Sequence, residues 1–201
     1  MYNTSNATIN NEEFVSNYMP VGINNDVTVK EVNLKTSPQG KDFLEIIFEN
    51  GSGQIATMSV WKNEKNMWIK TDEELQQRDN AQFGQMIQIL NCYYDSIPDT
   101  TLNTFKDMIM WVKSMIDPKI AEKKALRLKV IYDNKGYTKV STNGIFVEPM
   151  SVTESQIKLF KRDTLERPVQ ADVEKSADPL ATPSIPETSE TKDVNPDGLP
   201  F

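Results

Sequence analysis

Histidine is absent from this 201-residue chain, and cysteine occurs once, as Cys92. The first absence excludes Ser-His-Asp and Cys-His nucleophile systems, His-ligated zinc and the commonest general base. The second excludes an intramolecular disulfide and a cysteine-cluster metal site. Apolar runs stay well short of the ~20 residues that span a bilayer. The start, Met1-Tyr2-Asn3-Thr4-Ser5-Asn6, lacks the basic-then-apolar pattern of a secretory signal, so the glycosylation matches at Asn3 and Asn6 are read as chance. Positive charge is scarce: 22 Lys and Arg face 29 Asp and Glu, a net −7, which argues against coating duplex nucleic acid by bulk charge. Gly40-Lys41 has neither the earlier glycine nor the following Ser/Thr of a phosphate loop. Asp133-Asn134-Lys135-Gly136 lacks the ligand spacing of a calcium loop. The expectation is a soluble, cytoplasmic protein with no cofactor, no metal and no membrane contact.

What is present divides the chain into four parts. Residues 1–18 are Asn-rich and polar and read as a flexible arm. Residues 19–150 carry the patterns of a folded domain, and 151–167 read as a short helix or linker. Residues 168–201 hold six prolines, and Lys175 and Lys192 there face seven acids. Such a composition buries too little apolar surface to offset its ordering entropy, so a disordered acidic tail is expected.

Within 19–150, Val27, Val29, Val32 and Leu34 mark a first strand, followed by the turn Ser37-Pro38-Gln39-Gly40. Leu44, Ile46 and Phe48 alternate with Glu45 and Glu49 in a second strand, and Asn50-Gly51-Ser52-Gly53 predicts a hairpin into a third over 54–61. The period then changes. Thr71 with Glu74 is a capping box, ahead of a stripe of Leu75, Phe83, Met86, Ile87, Leu90 and Tyr94. Thr100 or Thr101 is placed to cap a second helix, with Leu102, Phe105, Ile109, Val112 and Ile116 on one side and Pro118 as its end. Leu126, Leu128 and Val130 then mark a fourth strand, and Tyr137 to Val147 a fifth, bent near Asn143-Gly144. The pattern predicts a mainly β domain with helices. Three strands, a helical insertion and two strands is the order of the five-stranded OB-fold barrel; a general α+β sandwich is the alternative.

Between Lys119 and Lys139 seven cations face only Glu122 and Asp133. Period 2 puts Arg127 and Lys129 opposite Leu126, Leu128 and Val130, so the basic pair is expected to point outward. Cations that follow phosphates, interleaved with rings that stack on bases, are what a single strand requires. The candidate nucleic-acid residues are Lys35, Lys41, Phe43, Trp61, Lys62, Arg127, Lys129, Tyr132, Lys135, Tyr137 and Lys139. The competing reading is a solvated strand face with its aromatics in the core. Trp61 and Trp68, near Lys62, Lys65 and Lys70, form either an aromatic–basic patch or, at the strand end, an aromatic packed against the first helix. Cys92 reads as a small buried residue. Asp72-Glu73-Glu74 falls in a first helical turn, where acids favour the dipole, and no acidic cluster has two-metal spacing. Catalysis is therefore not expected.

The chain ends Asp193-Val194-Asn195-Pro196-Asp197-Gly198-Leu199-Pro200-Phe201. A terminal ring on an acidic tether can enter an apolar pocket while Asp193, Asp197 and the free carboxylate meet a basic rim. With this tip, the five-strand pattern resembles the single-stranded DNA-binding proteins. The body is most similar to bacteriophage-encoded members in Pro20-Val21-Gly22-Ile23, in 126–132 with Asn134-Lys135-Gly136-Tyr137, and in Phe146-Val147-Glu148-Pro149. The resemblance implies a protein that coats single strands in replication, recombination or repair. It further implies recruitment of polymerase, helicase or primase through Asp193, Asp197, Leu199, Pro200 and Phe201, and homo-oligomers are possible. The tip departs from the bacterial pattern, which has a run of Asp. The family's stacking residues do not map one by one, so the nucleic-acid residues rest on the strand pattern alone.

Overall fold

Alternation shapes the sheet. In the computed structural model, which describes residues 16–168, β1 (Gly22–Thr36), β2 (Asp42–Glu49) and β3 (Ile55–Trp61) form an antiparallel meander. They bury Val27, Val29, Val32, Leu44, Ile46, Phe48, Ala56, Met58 and Val60 on one side. Two helices follow, α1 (Asp72–Asn91) and α2 (Phe105–Ile120), then β4 (Leu126–Tyr132), β5 (Thr138–Val140) and β6 (Val147–Pro149). The hydrogen-bonded order is β3-β2-β1-β4-β5, with β6 also on β4. Since β3 also approaches β5, the sheet curls into a nearly closed five-stranded barrel of OB type, as the strand order predicts.

The curl depends on β1. Its later residues pair with β2, its earlier ones with β4, and the register shifts twice, between Val29 and Glu31 and between Asn24 and Val27. Asp26 sits at the second shift with φ 54°, a left-handed conformation that Asp tolerates better than most residues. Bulges bend a strand and increase its twist, so one strand can serve two parts of a barrel wall. Residues 22–26 precede the alternation that marks the first strand in the sequence. They join the strand because β4 supplies their partners.

The fifth strand is interrupted where a bend is expected. β5 and β6 both pair with β4, and residues 141–146 loop out between them, with Gly144 at φ +64°. Phe160 lies so close that a Cβ at Gly144 would fall 2.8 Å from its ring.

The helices close the barrel. Thr71 and Glu74 form the expected capping box, and Met86, Ile89 and Leu90 of α1 are buried. The cap of α2 is Thr104, which accepts from the Asp107 N–H, in place of Thr100 or Thr101; Leu102 packs from the preceding loop. Pro118 does not end this helix, which continues to Ile120. Proline removes only the bond to the Ser114 carbonyl, and both residues are exposed. Cys92 is buried, and burial pushes its thiol up to about 12, as befits an inert core residue.

The two flanking segments differ from expectation. Residues 1–15 and those beyond Pro168, including the expected tail, lie outside the described residues. Asn17 and Met19 bond to both sides of Ile55, and Met19 is fully buried, so the last residues of the expected arm belong to the fold. Residues 151–168 form neither helix nor strand. They make a strap across the outer side of β4. Glu148 accepts from the Gln156 N–H, Ile157 is buried, and the Thr164 carbonyl accepts from Tyr132 N–H.

The strap is latched by one buried ion pair. Lys129 Nζ donates to Asp163 Oδ2 at 3.1 Å and to the carbonyls of Asn143 and Lys158, so all three ammonium protons are used. Asp163 also accepts from Ser141, Asn143 and the Phe160 N–H. Burial alone would raise the Asp163 carboxyl, but the Asn143, Phe160 and Lys129 hydrogen bonds and the Lys129 charge hold it below its ordinary range. Removing one partner strands the other charge, so Lys129→Met is expected to cost ~3–5 kcal/mol, and Lys129→Met with Asp163→Leu less, in urea melts. A cost under ~1 kcal/mol for the single change would show that the latch is dispensable.

The lowered carboxyl fixes a pH dependence. Its stabilisation is complete above the unfolded value near ~4 and is lost as pH falls through the lower folded value. Melts from pH 6 to pH 2 are expected to show a smaller acid slope for Asp163→Asn than for the unaltered chain. Equal slopes would assign the acid sensitivity elsewhere.

Candidate nucleic-acid interface

The outer face of β2–β3 is built by the same alternation that fills the barrel. With Leu44 and Val60 inward, Phe43 and Trp61 face out, and the register places Lys35, Phe43 and Trp61 in one row across β1, β2 and β3. The two rings stack with centroids 4.1 Å apart and planes 17° apart. Trp61 remains 40% exposed, an amphipathic platform held by its neighbour. Gln82 of α1 donates to the Trp61 carbonyl at 2.8 Å, tying the strand end to the helical layer.

Charge surrounds this platform. Lys35 bonds Glu45, and Lys41, from the β1–β2 turn, bonds Glu64 at 2.7 Å. The Lys41 hydrogen bond and charge hold the Glu64 carboxyl below its usual range. Lys62 is exposed and makes no ion pair among the described residues. Five of the expected residues, Lys35, Lys41, Phe43, Trp61 and Lys62, therefore converge at one end of the β1–β2–β3 sheet.

Three more lie on the hairpin between β4 and β5. Asp133 Oδ1 accepts from the N–H groups of Lys135 and Tyr137, which hold its carboxyl low. Gly136, at φ +79°, lies under Arg167 of the strap. The fixed turn presents Lys135, Tyr137 at 65% exposure, and Lys139 on β5. Tyr132 is half-buried at the end of β4.

Arg127 and Lys129 require correction. They do lie opposite the core residues of β4, but that outer side is covered by the strap. Lys129 is fully buried in the latch. Arg127 bonds Glu148 through Nη1 and Asn25 through Nε, leaving 15% of its side chain exposed. Neither presents a free cation. Trp68 is 80% exposed beside Met67 in the loop before α1, and Lys65 there is paired with Asp72 at 2.8 Å. Asp193, Asp197, Leu199, Pro200 and Phe201 lie outside the described residues.

Strand alternation also misses a neighbouring wall. Thr104, Phe105 and Lys106 at the start of α2 face Lys41, Trp61 and Lys62 across a cleft of about 450 Å³. The pattern Thr104-x-x-Asp107, a helix start, is the signal that marks this wall. Among the described residues no cluster of three or more Cys, Asp or Glu is placed to hold a metal ion, and no helix is long and apolar enough to cross a membrane.

No protein-family model matches the chain, and no curated protein matches it either.

The stacked pair is testable in isolation. A double-mutant cycle with Phe43→Leu and Trp61→Leu, read by chemical denaturation, is expected to give a coupling of ~0.5–1.5 kcal/mol. Additive effects would mean that the rings do not support one another.

Proposed function

We propose that this chain is a non-catalytic single-stranded DNA-binding protein. The observation that carries the reading is the outward-facing Phe43–Trp61 stack, flanked by Lys35, Lys41 and Lys62, on an OB-type barrel. The face of strands 2 and 3, with the loops joining strands 1–2 and 4–5, is where such barrels take oligonucleotides. Lys41 belongs to the first loop and Lys135 and Tyr137 to the second. Stacking on rings contributes ~1–3 kcal/mol per base and tolerates any sequence, while the amines follow the phosphates. Duplex DNA offers few open base faces to this platform.

In this reading the protein coats single strands exposed in replication, recombination or repair. The tip from Asp193 to Phe201 recruits polymerase, helicase or primase, in the host cytoplasm if the protein is phage-encoded. A second reading has its own observation: Lys35 and Lys41 are already paired with Glu45 and Glu64. That suits an adaptor without nucleic-acid affinity that acts through its tail alone.

Fluorescence anisotropy of labelled oligo-dT and a matched duplex, at low and moderate salt, separates the two. Salt-sensitive binding to the single strand alone, weakened about tenfold by Trp61→Ala, is the expected result; loss of one ~1–3 kcal/mol stack predicts that scale. Absence of binding to either would leave the adaptor.

A further inference from the structure

The helical insertion plugs the barrel, and the start of its second helix also walls a cleft beside the platform, where Phe105 packs part of its surface on the core and lines the cleft with the rest. The cleft of about 450 Å³ lies between the β1–β2 turn, the end of β3 and the start of α2. Trp61 stands on one side and the half-buried Phe105 on the other. Lys62 and Lys106 are exposed at this cleft and form no ion pair among the described residues, whereas Lys41 is held by Glu64 and Asp42 accepts from Thr36. A second cleft, of about 550 Å³, shares Lys62, Thr104 and Phe105 and runs on between α1 and the loop before α2.

We infer that the cleft between Trp61 and Phe105 is a nucleotide subsite, in which one unit of a single strand leaves the β2–β3 face and enters the helical layer. The inference rests on the single-strand reading above and deepens it. A nucleotide needs an aromatic surface for its base and a cation for its phosphate. Phe105 and Trp61 supply the rings, and Lys62 and Lys106 the amines. The shared residues join the two clefts, so the strand's path is directed across the end of β3 toward α1. Lys106 lies outside the strand pattern, and nothing in the barrel itself demands a cation there.

The test uses the full chain with Lys106→Gln, Phe105→Leu and, as a charge control, Lys161→Gln, which alters an exposed residue on the strap. Oligo-dT affinity is measured across a salt series, and an oligonucleotide carrying 5-iododeoxyuridine is photo-crosslinked and mapped. Lys106→Gln is expected to reduce the salt slope by about 0.7, one phosphate contact on a single strand. Lys161→Gln is expected to leave the slope in place, and crosslinks are expected at Phe105 as well as at Trp61. Phe105→Leu should remove the crosslink there while the one at Trp61 persists. An unchanged slope for Lys106→Gln, with crosslinks confined to Phe43 and Trp61, overturns the subsite and leaves the single-strand reading intact. Equal slope changes for Lys106→Gln and Lys161→Gln overturn it also, because net charge alone would account for them. No binding by the unaltered chain overturns both readings.

Discussion

The latch between Lys129 and Asp163 decides what the barrel presents to its surroundings. A lysine in the middle of a strand is expensive to bury unless every proton is used and the charge is matched. Here three acceptors surround the ammonium, and the carboxylate has three further donors. These groups come from β4, from the 141–146 loop and from the strap, so the pair can be satisfied only when all three are in place. Phe160 adds its ring beneath Lys129 Nζ, with Arg162 near the same ring. A satisfied buried pair does not add much net stability, but it specifies one arrangement of the segments around it.

That arrangement divides the outer surface. The β4 side is closed, with Arg127 engaged by Glu148 and Asn25. The β2–β3 side is open, with the stacked rings and the cations around them. Two faces with similar alternation thus reach opposite ends, one by the strap and the other by exposure. The two ends of the strap follow one device, a carboxylate that gathers backbone N–H groups: Glu148 takes Gln156, and Asp163 takes Phe160. Both carboxyls are held below the ordinary range against the opposing effect of burial.

Much of this was legible in the sequence where the information is local. The alternation of 44–48 and 54–61, the turn glycines and the Thr71–Glu74 box lie within a few residues of what they determine, and the barrel order follows from them. Phe43 and Trp61 face outward because period 2 leaves no choice. Lys129 shows the limit of the same rule. Periodicity gives the side of the strand and not what covers it, and the cover comes from a segment some thirty residues later with no period of its own. Residues 22–26 escape the pattern for a related reason: their partners on β4, not their composition, make them strand. Thr104 is masked by the two threonines that precede it, although only Thr104 has an acid three residues on.

The pairing of Lys35 with Glu45 and of Lys41 with Glu64 bears on how such a face would grip a strand. A phosphate that recruits either lysine must displace a carboxylate, and that carboxylate then stands near the incoming charge. The gain from counterion release is correspondingly offset, and in a chain of net −7 the long-range field opposes approach as well. Rings suffer no such offset, because Trp61 and Tyr137 are exposed before anything binds. On the proposed reading, selectivity for single strands then follows from the balance of terms. A duplex offers this surface phosphates and few open base faces, which is the weaker half of the interaction. A single strand offers both, and each stacked base adds to a contact that the surrounding acids do little to diminish.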